Sequence, residues 1–111
     1  MLKAYTLSLI LGLYTLCSAN DVDDFTLVAI GDWGGFPYPP YHTPHQTATA
    51  KGMAKVAEDI GAAGVLALGD NMYFSGVEDK DASKRFKATF EDVYTQESLQ
   101  KDWFVIAGNH D

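Results

Sequence analysis

Three short apolar runs constrain this chain most, because each ends at a glycine that is followed at once by an oxygen-bearing side chain. Phe25-Thr26-Leu27-Val28-Ala29-Ile30 closes at Gly31, Val65-Leu66-Ala67-Leu68 at Gly69, and Trp103-Phe104-Val105-Ile106-Ala107 at Gly108. Runs this short and nearly continuous predict strands buried on both faces, as in a parallel sheet. The gaps between them predict helices. Thr43-Pro44 reads as an N-cap with proline at the first helical position. Met53, Val56, Ala57 and Ile60 then recur as one apolar face, with Gly61 or Gly64 to close the helix. In the second gap Asp81 is placed to cap a helix carrying Phe86, Phe90, Val93 and Tyr94 on its inner side, with Glu91 and Asp92 on a solvated face. The order β-α-β-α-β implies right-handed crossovers and an α/β fold.

In such sheets ligands bind at the carboxyl ends of the strands. Gly31-Asp32-Trp33-Gly34-Gly35, Gly69-Asp70-Asn71-Met72-Tyr73 and Gly108-Asn109-His110-Asp111 occupy those three ends. Asp32 and Asp70 are 38 residues apart and Asp70 and Asn109 are 39 apart, each interval the length of one crossover. A single aspartate after a glycine is ordinarily a cap or a turn former. Three oxygen-bearing residues at three matched strand ends are a site. Two carboxylates, a carboxamide and the Tyr73 phenol favour hard cations, and two carboxylates side by side repel unless a cation lies between them. The irregular loop over 36–44, Phe-Pro-Tyr-Pro-Pro-Tyr-His-Thr-Pro, lies above the first strand end. Trp33, Tyr38, Tyr41, His42 and His45 are expected to pack at its rim rather than to touch substrate.

The first residues are expected to be a targeting segment. Met1-Leu2-Lys3 is a positive start, Ala4–Leu16 is mainly apolar, and Cys17-Ser18-Ala19 places small residues before a cleavage point at Asn20. An apolar run of about 13 residues is short of the roughly 20 that span a bilayer. The expected domains are therefore a signal peptide over 1–19 and a single incomplete domain over 20–111, with no stable membrane insertion after cleavage and a secreted or lysosomal destination. Cleavage would remove Cys17, the chain's one cysteine, so no disulfide framework is available. With 8 Lys+Arg against 15 Asp+Glu and a net charge of −7, the chain lacks the basic surface that nucleic acid requires.

The three motifs, in this order, resemble the first three of the five motifs of the calcineurin-like metallophosphoesterases, and the tyrosine of the second resembles the purple acid phosphatases in particular. The resemblance extends over residues 25–111. It implies the N-terminal β-α-β-α-β portion of a four-layer α/β/β/α metallophosphoesterase sandwich. It also implies an acid phosphatase acting on phosphate monoesters, small molecules or phosphoproteins. The implied cofactor is a binuclear centre of ferric iron plus a divalent ion (iron, zinc or manganese), whose bound hydroxide attacks phosphorus. By the same resemblance Asp32 and Tyr73 would bind the ferric ion, Asp70 would bridge both metals, Asn109 would bind the divalent one, and His110 would serve the substrate phosphate as hydrogen-bond donor or general acid. The family's histidine ligands come from later motifs that this sequence does not contain. The implied activity therefore belongs to a longer chain, and the sequence reads as an N-terminal fragment.

Two other readings are weaker. Another metallophosphoesterase branch would lack Tyr73, and a truncated secreted module would have no catalysis at all. Dinucleotide binding is disfavoured because Gly31-x-x-Gly34-Gly35 lacks the Gly-x-Gly-x-x-Gly spacing and places Asp32 where pyrophosphate would lie.

Overall fold

The structure, a computed structural model, describes residues 24–111; the expected signal peptide over 1–19 lies outside the described residues. Three strands, β1 (Leu27–Ile30), β2 (Gly64–Ala67) and β3 (Asp102–Val105), form one parallel sheet in the order β1-β2-β3. Ile30 pairs with Ala67 and Ala67 with Val105, so the three strands end level with one another. The α/β class and the parallel direction are as expected. The bounds differ slightly: β1 starts two residues later than its apolar run, β2 is shifted one residue towards the N-terminus, and β3 starts one residue and ends two residues earlier than its run.

The first crossover is α1 (Pro44–Asp59), and its capping follows the sequence. Thr43 is extended, and its Oγ1 accepts from the Gln46 N–H at 2.9 Å, satisfying one of the orphan donors of the first turn. At the far end Gly61 adopts φ +60°. Ala62 N–H then donates to Ala57 O at 2.8 Å and Gly61 N–H to Glu58 O at 3.2 Å, a paired closure that only a left-handed residue permits. The apolar face expected of this helix is corrected. Of Met53, Val56, Ala57 and Ile60, only Ala57 is buried, Met53 is half-buried, and Val56 and Ile60 are exposed. The buried stripe is Ala50, Ala54 and Ala57, with Gln46. Small side chains at that spacing let the helix lie close against the sheet, and the larger residues are left at its flanks.

The second crossover departs further. It runs as a single 3₁₀ turn (Asp79–Asp81), a short helix α2 (Ala82–Phe86), a π turn (Lys87–Glu91) and another 3₁₀ turn (Glu97–Leu99). Asp81 stands at the N-cap, but its side chain makes no capping hydrogen bond. Val93 and Tyr94 are buried and Glu91 and Asp92 exposed as expected, yet Phe86 is exposed and Arg85 and Thr89 are buried instead. A π turn inserts a residue into the helical phase, so a pattern read at the α-helical period slips by one position across it.

The core lies between one face of the sheet (Val28, Val65, Ala67), the alanine stripe of α1, and Trp33, Val93, Tyr94 and Leu99. Trp33 is surrounded by the rings of Phe90, Tyr94 and Trp103 at centroid distances of 5.6–5.7 Å. The expectation of strands buried on both faces is corrected as well. Side chains alternate across a strand, and the alternate set, Ala29, Leu66 and Phe104, lies on a face that no described layer covers; Ala29 and Phe104 are exposed and Leu66 half-buried. Leu68 and Ile106, just beyond the strands, are also exposed. Among the described residues no helix is long and apolar enough to cross a membrane.

Candidate functional site

The level strand ends bring the three motif turns into contact. The backbone turns sharply at the aspartates themselves: Asp32 has φ 55° and Asp70 φ 53°, both left-handed, and Gly69 before Asp70 has φ 105°. Non-glycine residues in this region are uncommon, with aspartate and asparagine the best tolerated. The Asp32 N–H donates to Gly69 O at 3.2 Å, tying the first turn to the second. Tyr73 N–H donates to Gly34 O at 3.3 Å, and a Cβ on Gly34 would lie 2.6 Å from Tyr73 N. A Cβ on Gly108 would overlap both Oδ1 and the backbone nitrogen of Asp70. Glycine at these two positions is required by close approach.

At the centre is the Tyr73 hydroxyl, 2.8 Å from Asp32 Oδ1 and 3.1 Å from Asp70 Oδ2. It has a single proton to donate and two carboxylates beside it. The hydrogen bond to Asp32, then desolvation, then the hydrogen bond to Asp70 raise its pKa well above that of an ordinary phenol. Desolvation works against the Asp70 carboxylate, but the His110 N–H, which donates to Oδ1 at 3.2 Å, together with Tyr73 and Asp32, leaves its pKa below the usual value. Three oxygen donors thus meet within hydrogen-bonding distance with one proton among them, a set whose charge and hardness fit a cation.

The structure brings Asp32, Asp70, Tyr73 and His110 together directly. Asn109 is exposed in the same turn, next to Gly108, and joins them by its place in the chain. His110 Nδ1 lies 2.8 Å from Phe74 O. A carbonyl only accepts, so this contact assigns a proton to Nδ1 and leaves Nε2 for other chemistry. The His110 ring packs against Tyr73, with centroids 4.9 Å apart. Among the described residues there is no group of three or more His, Cys, Asp and Glu side chains placed to hold a metal.

Several residues around the site differ from expectation or were not anticipated. Trp33 is not at a rim: it is 6% exposed in the core, and its Nε1–H donates to Asn71 Oδ1 at 2.9 Å. Tyr38 is exposed and stacked on Phe36, whereas Tyr41 is half-buried with Lys84 and Arg85 over its ring. His42 Nδ1 lies 3.3 Å from Ala88 O, and His45 is exposed in the first turn of α1. Arg85 had no sequence signal beyond its four-residue spacing from Thr89. Buried, it donates from Nη2 to Tyr73 O at 3.0 Å and Gly34 O at 3.3 Å, bracing the first two motif turns; burial draws its pKa down. Asp111 belongs to the third motif, and the acid at its end was the available clue. Its carboxylate accepts from Asn71 N, Met72 N, Asn71 Nδ2 and Gly108 N at 2.7–2.9 Å.

No family model matches the chain. Among curated proteins it is 33% identical over 92 residues to purple acid phosphatase 4 of Arabidopsis thaliana, covering 83% of this chain and 25% of that protein. It is 54% identical over 85 residues to tartrate-resistant acid phosphatase type 5 of Oryctolagus cuniculus, covering 76% of this chain and 26% of the relative. To the same protein of Rattus norvegicus it is 45% identical over 104 residues, covering 93% and 31%. A parallel α/β sheet with acidic turns at its strand ends, and these matches, make the chain a relative of the purple acid phosphatases. Within that group it is similar to tartrate-resistant acid phosphatase type 5. The chain spans about a quarter to a third of the length of these relatives.

Proposed function

We propose that this chain contributes the first part of an acid phosphatase that hydrolyses phosphate monoesters, small molecules or phosphoproteins, at a binuclear metal centre. The observation that carries this reading is the Tyr73 hydroxyl set between the Asp32 and Asp70 carboxylates at level strand ends. Asp32 and Tyr73 would hold a ferric ion, Asp70 would serve both metals, and Asn109 would hold a divalent iron, zinc or manganese ion, with further ligands from chain beyond these motifs. A metal pair supplies Lewis acidity, acidifying water and neutralising phosphoryl oxygens. The residues of this chain do the rest. Tyr73 would have to give up its proton to hold an ion, whereas Asp70, its pKa lowered with the His110 N–H donating to Oδ1, would not. His110 is oriented by Phe74 O through Nδ1; protonated at Nε2 as well, it donates that proton to the leaving oxygen or to the phosphate.

The leader over 1–19 would direct the protein to a secreted or lysosomal destination, and N-terminal sequencing of secreted material should begin at Asn20. The activity is tested with p-nitrophenyl phosphate and the full-length, iron-loaded protein. Asp70→Asn should lower turnover by more than about 100-fold, the upper range for changes outside the first coordination shell. Turnover retained in that variant would refute the assignment.

A further inference from the structure

The residue that follows each aspartate, and the acid that closes the third motif, are not needed as ligands, yet they form one connected network. Trp33 follows Asp32, Asn71 follows Asp70, and Asp111 lies two residues after Asn109. Asn71 is the hub, 9% exposed. Its Oδ1 accepts from Trp33 Nε1 at 2.9 Å, and its Nδ2 donates to Ile106 O at 2.8 Å and Asp111 Oδ2 at 2.9 Å. Its backbone N–H donates to Asp111 Oδ1 at 2.8 Å. The carboxamide can face only one way: the indole is a pure donor, and the two groups opposite are pure acceptors. One side chain therefore touches all three motif turns with its polarity matched at each contact.

We propose that Asn71, locked by Trp33 and Asp111, is a positioning residue that fixes the three ligand turns relative to one another before a metal arrives. This rests on the metal-centre reading above. Stability alone does not explain the arrangement, since replacing a buried hydrogen-bonded pair with apolar groups of similar shape is often nearly neutral. A carboxamide at this point specifies geometry. A leucine of similar size could fill the space while leaving the turns free to move by the few tenths of an ångström that separate a bonding from a non-bonding oxygen.

The test is the double variant Trp33→Phe/Asn71→Leu in the full-length protein, which removes the indole donor and its carboxamide acceptor together and takes the Nδ2 donor from Ile106 O and Asp111 Oδ2. Two measurements read it: hydrogen exchange in the metal-free protein, and iron half-saturation followed by its visible band. Exchange is expected to rise at residues 70–72 and 106–111 and to stay unchanged in α1. Half-saturation should weaken about 10- to 100-fold, and kcat should fall more than KM changes. Trp33→Phe alone, which leaves Asn71 Oδ1 unpaired, should shift both readouts in the same direction and serves if the double variant does not fold. Unchanged exchange at the turns with unchanged iron half-saturation would overturn the proposal, as would exchange raised uniformly through the molecule. If the wild type takes up no iron, the metal-centre reading fails, and the exchange pattern still decides whether Asn71 holds the turns.

Discussion

Tyr73 and Asp32 are 41 residues apart in sequence, and the hydroxyl of one donates to the carboxylate of the other at 2.8 Å. That contact exists because β1 and β2 end in register and because Arg85 and Gly34 hold the second turn against the first. Tyr73→Phe removes the oxygen and keeps the ring. In the full-length protein the variant is expected to fold and to retain metal through Asp70 while losing the phenolate-to-iron charge-transfer band. Its hydrolysis should fall less than that of Asp70→Asn. A visible spectrum at measured iron content checks this, and an unchanged band at equal iron would remove Tyr73 from the site.

Metal uptake should release a proton from Tyr73. Its pKa is raised by the carboxylates beside it, so without metal the phenol stays protonated throughout the neutral range, and binding as phenolate must expel that proton. Affinity should rise with pH by about tenfold per unit for this proton and fall towards acid. Calorimetric titration in buffers of different ionisation enthalpy measures the released proton. In Tyr73→Phe this contribution to the slope should vanish.

Gly108→Ala should damage the site without replacing a ligand. Its Cβ would meet Asp70 Oδ1 and the Asp70 backbone nitrogen, so either the third turn or the Asp70 carboxylate must move. Overpacking of this kind costs about 1–3 kcal/mol, and turnover should fall by more than the loss of stability accounts for. Thermal unfolding and steady-state kinetics on the same preparation separate the two effects.

Residues 20–111 expressed alone should show no metal-dependent turnover of p-nitrophenyl phosphate above an Asp70→Asn control. Four candidate ligands leave two ions under-coordinated, and the exposed face carrying Ala29, Leu66 and Phe104 should drive association. Light scattering and a turnover assay on the iron-loaded preparation are sufficient tests.

Sequence periodicity placed the strands, the Thr43 cap and the convergence of Asp32, Asp70 and Tyr73, because each depends on local pattern or on the spacing of one crossover. It misassigned the inner face of α1, where Ala50, Ala54 and Ala57 are buried in place of Val56 and Ile60. Hydrophobicity favours the larger residue, whereas close helix-to-sheet packing favours the smaller. It misread the second crossover because a π turn changes the phase and turns Arg85 and Thr89 inward. The Trp33–Asn71–Asp111 network was not legible at all. Hydrogen bonds between side chains in separate turns leave no periodic trace, and a tryptophan beside a polar loop reads equally well as rim or core.

The left-handed backbone at Asp32 and Asp70 restricts how these positions can vary. A side chain there must tolerate positive φ as well as supply an oxygen, and asparagine is the one other residue suited to both demands. Asparagine exchange therefore isolates the effect of charge, whereas alanine or glutamate at either site would mix a backbone penalty into every measurement. The same coupling narrows the neutral routes by which a descendant of this sequence could lose its acidic pair: drift through asparagine leaves the turn intact, and most other substitutions disturb the loop and the chemistry together.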